Sequence, residues 1–191
     1  MVAYKGTSIE QIDTLRWVLE SGLIRDWRIA IDGGANVGEW TQIMAARFQT
    51  VHAFEPGDVF RATAPNIILH REALLDRPCM VTLNTKRKSR GWWVSPDEAG
   101  TIQAVTIDSL NLPACGFIKL DLEGADGLAL LGAAETIKRC APVVMVEMGK
   151  QNRKRPCLSN GDTVQFLNDR GYWLVKHIGC DFIFARTNGV Q

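Results

Sequence analysis

Five acidic side chains and one lysine stand where an α/β protein gathers ligands: Asp32, Glu55, Asp121, Glu123, Glu147 and Lys119. Asp32 opens the stretch "DGGANVG", in which Gly34, Asn36 and Gly38 recur at every second residue between the apolar Ile29–Ile31 and a helical pattern. A strand-to-helix turn of this kind tolerates positive φ, admits a close approach and can offer backbone N–H groups to an anion, although it also occurs with nothing bound. Glu55 ends a second apolar run just before Pro56. A carboxylate there can accept both hydroxyls of a ribose, a role shared by dinucleotide and S-adenosylmethionine sites. A pyrophosphate needs G-x-G-x-x-G spacing, which is absent, and Asp32 would repel it while welcoming the ammonium of a methionine moiety. The balance favours S-adenosylmethionine over an NAD-type cofactor.

Methyl transfer from such a donor is an in-line displacement, in which positioning in a dry cleft lowers much of the barrier. An alkyl hydroxyl acceptor gains further from a general base. Asp121, at the carboxyl end of "IKLD", is the first candidate, with Glu147 second and Glu123 third. Asp121 or Glu123 could instead cap the helix that begins near Gly124, and Glu147 could pair with Lys150. Strand alternation puts Lys119 on the face of Asp121, as a structural partner that tunes its pKa or as an acceptor ligand. A further reading has Asp121, Glu123 and Glu147 holding a divalent cation; no metal is assigned. Trp92 and Trp93 would stack on a sugar or base if they lie in a loop over the strand ends, with core packing the competing role.

Positioning these groups requires a sheet. A first helix follows the capping-box spacing of Thr7 and Glu10 and runs to about Leu23. The quoted strand, a helix with Val37, Met44 and Phe48 on one face, and "VHAFEP" form a βαβ unit. "NIILH" is a third strand after a poor helical connection broken at Pro65, and "CMVTLN", "GWWV" and "TIQAVTI" read as short strands or hairpins. "GFIKLDLEG" is a buried strand followed by one helix through Leu128, Leu131 and Ile137. "APVVMVEM" is another strand, a helix covers Val164 to Arg170, and "YWLVKHI" and "DFIFAR" form a terminal antiparallel hairpin. The expected fold is an α/β sandwich, mostly parallel, with helices on both faces and ligands at the carboxyl ends of the strands.

The 191 residues are expected to form a single domain, with residues 1–27 an N-terminal helical segment and 79–105 a variable insertion. No apolar run is long enough for a bilayer, no secretory signal opens the chain, and five scattered cysteines suggest reduced cytoplasmic thiols. A net charge of +1 gives no global case for nucleic acid. Two basic clusters, Lys86–Arg90 and Arg153–Arg155, stand out locally. Bordering the strand ends, Arg153 and Arg155 would select an anionic acceptor such as a phosphorylated or nucleotide-linked sugar; solvated loops are the alternative.

Five motifs in order resemble the FkbM-type methyltransferases: "DGGANVG", "VHAFEP", "TIDSL", "IKLDLEGAD" and "PVVMVEM", within about Ile29 to Trp173. Gly33 departs from the branched apolar residue usual in that family, and Cys79 to Gln103 matches little. The resemblance implies a class I methyltransferase, Rossmann-like sandwich and S-adenosylmethionine as cofactor. It also implies O-methylation of a hydroxyl on a sugar, glycan or other small molecule. Carried over by position, Asp32, Gly34, Asn36 and Gly38 would frame the methionine end, Glu55 beside Pro56 would hold the ribose, and Ala73 and Leu74 would touch adenine. A non-catalytic module of the same fold, holding RNA or another polyanion on its basic loops, is the alternative. No DPPY-like motif follows the fourth strand, which disfavours transfer to an adenine amino group.

Overall fold

The computed structural model of the protein describes residues 9–85, 92–149 and 158–186. Apolar residues of both parities run through the inner strands, as burial on two faces requires. Ala30, Val51, Phe117, Val143 and Met145 pack beneath Leu15 and Val18 of helix α1 (Ile9–Glu20) and Met44 of α2 (Glu39–Ala45). Their neighbours Ile31, Phe54, Ile118, Val144 and Val146 face the other way. They meet Leu130 of α3 (Asp126–Leu131), Ile137 of α4 (Ala134–Cys140) and Leu167 of α5 (Asn160–Asn168). Helices therefore cover both faces of one central sheet.

That sheet has seven strands. β1 (Ile29–Gly33), β2 (Thr50–Phe54) and β3 (Ile67–His70) run one way across it. β8 (Phe117–Leu120) and β9 (Val143–Glu147) extend it on the other side of β1, all five parallel. β11 (Asp181–Arg186) is antiparallel to β9, and β10 (Tyr172–Ile178) closes the edge, giving the order β10-β11-β9-β8-β1-β2-β3. The chain switches direction between β1 and β8, so a crevice opens at the carboxyl ends of those two strands.

The expected insertion forms a second sheet. β5 (Cys79–Thr85), β6 (Trp92–Pro96) and β7 (Ile102–Val105) join β4 (Ala73–Leu74) in the order β4-β7-β5-β6. Three expectations change. The helix after β1 starts only at Glu39, with Gly38 as its N-cap, so Val37 precedes it. No helix links β2 to β3, and the single helix expected after β8 is two, α3 and α4. Among the described residues no helix is long and apolar enough to cross a membrane, and Cys79, Cys115, Cys140 and Cys180 are free.

The glycine turn is shaped by the chain itself. Gly34 has φ +73°, and a Cβ there would lie 1.9 Å from the carbonyl oxygen of Asp121. At Gly38 a Cβ would meet Phe60 and Ala62 at under 3 Å. The close neighbour that these glycines accommodate is thus backbone and side chain of this protein. Gly34→Ala should cost at least about 3 kcal/mol, because left-handed strain of about 1–2 kcal/mol adds to a collision with main chain. Gly22, at φ +75° with nothing within 4 Å, isolates the strain, and Gly22→Ala should lose only that smaller amount. Denaturant unfolding of the two variants gives the comparison, and equal losses would rule out the steric contribution.

Candidate active site

The Asp32 carboxylate and the Lys119 ammonium lie on neighbouring parallel strands as register partners of β1 and β8. They meet at 3.0 Å with side-chain exposures of 0% and 5%. The Thr41 hydroxyl of α2 donates to the second Asp32 oxygen at 2.5 Å. Lys119 also donates to the carbonyls of Gly33 and Gly34 at 3.4 and 3.2 Å, and its Nζ lies over the Trp40 ring. Burial by itself would depress the Lys119 pKa, but Asp32 and Asp121 together raise it, so the ammonium keeps its charge. Lys119 therefore has Asp32 as its salt-bridge partner, which corrects the expected pairing with Asp121. Asp32 is wholly enclosed and, through Lys119 and Thr41, anchors the turn.

Beyond that pair the strand ends are acidic. Asp121 follows β8, and its backbone N–H donates to the Gly33 carbonyl at 3.0 Å, fixing it beside the glycine turn. Glu147 ends β9. Burial first, then the charges of Asp121 and Asp126 and a hydrogen bond with Asp121, push the Glu147 carboxyl up to about 9. It is a protonated acid at neutral pH and donates to Asp121. Asp126 accepts from the N–H groups of Leu122 and Gly124 at 2.8 and 3.0 Å. Burial, then Asp121, raises it to about 6. Asp126, rather than Asp121 or Glu123, thus ties the loop before α3. Glu123 is part-buried with φ +54°. Among the described residues no three of His, Cys, Asp and Glu are arranged to hold a metal ion.

Glu55, just after β2, is 8% exposed and binds two loops. It accepts from the N–H of Asn36 at 2.9 Å and of Gly57 at 2.7 Å. Burial raises its pKa despite those two hydrogen bonds. Arg71 holds the same loop through the Gly57 carbonyl at 2.5 Å. Beside it a cavity of about 470 Å³ is lined by Pro56, Arg71, Glu72, Thr101 and Gln103 among others.

Asp32, Gly34, Asn36, Gly38, Glu55, Lys119, Asp121, Glu123 and Glu147 thus gather at one edge of the sheet. Ala73 and Leu74 are 3% and 1% exposed, pair with β7 and pack in the core. Trp92 and Trp93 belong to β6, the edge strand of the small sheet, rather than to a loop; Trp93 is part-buried opposite Asn84. Lys86–Arg90, Arg153 and Arg155 lie outside the described residues. Sequence reading passed over Thr41, Arg71, Asp126 and Asp181. Asp126 stood in a quoted motif, and Asp181 opens an apolar run, where a lone acid is a visible signal.

The Methyltransferase FkbM domain family matches residues 32–174. No curated protein matches the sequence. Among solved structures, a methyltransferase FkbM from Methylobacillus flagellatus KT superposes with a TM-score of 0.56 at 19% identity, over 86% of this chain and 45% of that one. The chain therefore spans less than half the length of that protein. Magnesium protoporphyrin IX methyltransferase from Synechocystis PCC 6803, with S-adenosylmethionine bound, gives 0.51 at 9% identity, over 97% and 87% of the two chains. An S-adenosylmethionine-dependent methyltransferase from Listeria monocytogenes, described as putative, gives 0.53 at 6% identity, over 94% and 97%. These likenesses place the fold among class I methyltransferases.

The raised Glu147 pKa has a stability consequence. A carboxyl lifted from 4.5 to about 9 on folding contributes stability that is fully present below 4.5 and lost as pH rises through 9. Asp126 and Asp181 titrate lower, near 6, and the buried Cys115 contributes only as pH approaches its ordinary value of 9, so pH 6.5 to 8.5 isolates Glu147. Unfolding midpoints of the parent should fall across that window, and Glu147→Gln should flatten the fall. A parent whose stability is level there would mean that Glu147 is not held protonated.

Proposed function

We propose that this chain, which belongs to the Methyltransferase FkbM domain family, transfers a methyl group from S-adenosylmethionine to a hydroxyl oxygen of a sugar, glycan or other small molecule. The observation that carries this reading is the placement of Asp121 and Glu147 at the carboxyl ends of the adjacent strands β8 and β9, with Asp121 held against the glycine turn through its N–H. The residues fit the donor in sign and shape. A sulfonium and an ammonium suit strand ends where Lys119 is already neutralised by Asp32. Glu55 retains lone pairs for ribose hydroxyls beyond its two backbone donors, and the adjoining cavity at Pro56 and Arg71 has room for a base.

The donor, when bound, supplies an electrophilic methyl carbon on sulfur, which leaves as a thioether. This chain's part is orientation and proton transfer. The Glu147 hydroxyl donates to Asp121 and fixes that carboxylate, leaving lone pairs for the acceptor hydroxyl. Asp121 takes the hydroxyl proton as the oxygen becomes the nucleophile. Expectations of an anionic acceptor rested on basic residues outside the described segments, whereas the described strand ends are acidic. A neutral or cationic acceptor meets less repulsion there.

A transfer assay with labelled donor on glycan and small-hydroxyl acceptors tests the assignment. Asp121→Asn keeps the shape and removes the base, so turnover should fall about a hundredfold or more while donor affinity stays within about threefold. Full activity in Asp121→Asn would transfer the role to Glu147 or leave only positioning. Glu55→Ala should weaken donor binding by about 1.5–3 kcal/mol, or roughly ten- to a hundredfold, by calorimetry. Unchanged affinity would remove Glu55 from the ribose site.

A further inference from the structure

Asp181 is an acid at this edge whose role the reaction above leaves open. It opens β11, directly opposite Glu147 in the antiparallel register, so both side chains leave the same face of the sheet. It is 7% exposed, yet among the described residues its carboxyl has no hydrogen-bond or salt-bridge partner. Among the described residues, Asp121 and Lys119 are the charges close enough to shift its titration. Lys119 cannot serve as its counter-ion, being bound at 3.0 Å to Asp32 and to two turn carbonyls. Burial first, then Asp121, pushes Asp181 up to about 6, the expected response of an enclosed acid with no counter-ion of its own among the described residues.

Position separates this acid from the donor. β11 lies three strands from β1 in the sheet, or roughly 14 Å at the usual spacing of neighbouring strands. Asp121, one strand from β1, is close enough to face the donor's positive charge, but Asp181 is beyond it, past Glu147. Burying an acid without a partner is costly unless a ligand completes it.

We propose that the acceptor carries a cationic nitrogen, a protonated amine near the hydroxyl that is methylated, and that Asp181 with Glu147 receives it. The inference rests on the methyltransferase reading for the word acceptor, while the cation site itself rests on Asp181. An ammonium donates to the Asp181 carboxylate and to the carbonyl oxygen of Glu147's carboxyl, which stays protonated toward Asp121. A phosphorylated acceptor would be repelled at the same place.

Two trisaccharide probes that differ at one position of each ring make the test. Glucosamine trimer carries three amines, one per ring, where cellotriose has 2-hydroxyls. Calorimetry at pH 6.5 on the full chain first measures S-adenosylhomocysteine, then each trimer with and without it. The parent should bind glucosamine trimer at least tenfold more tightly than cellotriose, and Asp181→Asn should reduce that ratio to about one. Asp181→Glu should restore part of it. Asp181→Asn should also unfold no earlier than the parent, because it removes an enclosed acid without a partner; earlier unfolding would give Asp181 a structural role instead. Equal affinity for the two trimers, no detectable binding of the amine at millimolar concentration, or a ratio retained in Asp181→Asn overturns the proposal. Absence of S-adenosylhomocysteine binding would refute the methyltransferase reading separately, since the amine preference is read without it.

Discussion

Asp32 and Lys119 meet across the seam where the sheet changes direction, and the geometry of the edge follows from keeping them together. Both are enclosed, and removing one partner of such a pair commonly costs about 3–5 kcal/mol because the other charge is stranded. The pair is satisfied from three elements: the Thr41 hydroxyl of α2, the turn carbonyls of Gly33 and Gly34, and the strand β8 that carries the lysine. Each bond fixes something the site needs. The turn cannot lift from β8, α2 cannot slide along β1, and Asp121, two residues after the lysine, is held against the turn through its own N–H.

Spending the only described lysine of this edge on Asp32 leaves the remaining acids to settle their charge among themselves. Asp126 does so with backbone N–H groups, and Glu55 does the same from its position after β2. Glu147 cannot, so it keeps its proton and gives it to Asp121 as a hydrogen bond. A neutral acid beside a carboxylate is thus a consequence of the buried ion pair, not a separate device. Among the described residues the same pattern leaves Asp181 enclosed and without a counter-ion of its own.

Much of this was legible in the sequence because burial on two faces writes itself locally. Runs such as "FIKL" and "VVMV" have no polar parity to expose, and the parallel core strands were assigned from them. The gathering of Asp32, Glu55, Asp121 and Glu147 at one edge followed from their places at strand ends. What was not legible was which group meets which. Lys119 is two residues from Asp121 in sequence, but register with β1 puts the distant Asp32 opposite it, and register is a long-range property. Ala73 and Leu74 illustrate the same limit: a two-residue strand has no periodicity to read, and only its pairing with β7 shows that it is core. Gly34 and Gly38 signalled a close approach correctly, but the sequence could not say that the approaching atoms belong to Asp121, Phe60 and Ala62.

The direction of β11 has a consequence of its own. Parallel strands bring their last residues to the ligand edge, and those of β8 and β9 lead into Asp121 and end on Glu147. A strand running the same way in the position of β11 would bring Arg186 to that edge and Asp181 to the opposite one. Because β11 is antiparallel, its first residue arrives instead, and the register Asp181 to Glu147 places one more acid beside the protonated one. The hairpin that closes the sheet therefore also sets the charge of the far side of the crevice. In the proposed reaction this divides the edge by distance from β1: turn and ribose acid for the donor, Asp121 for the proton, and Asp181 for whatever positive charge the acceptor brings.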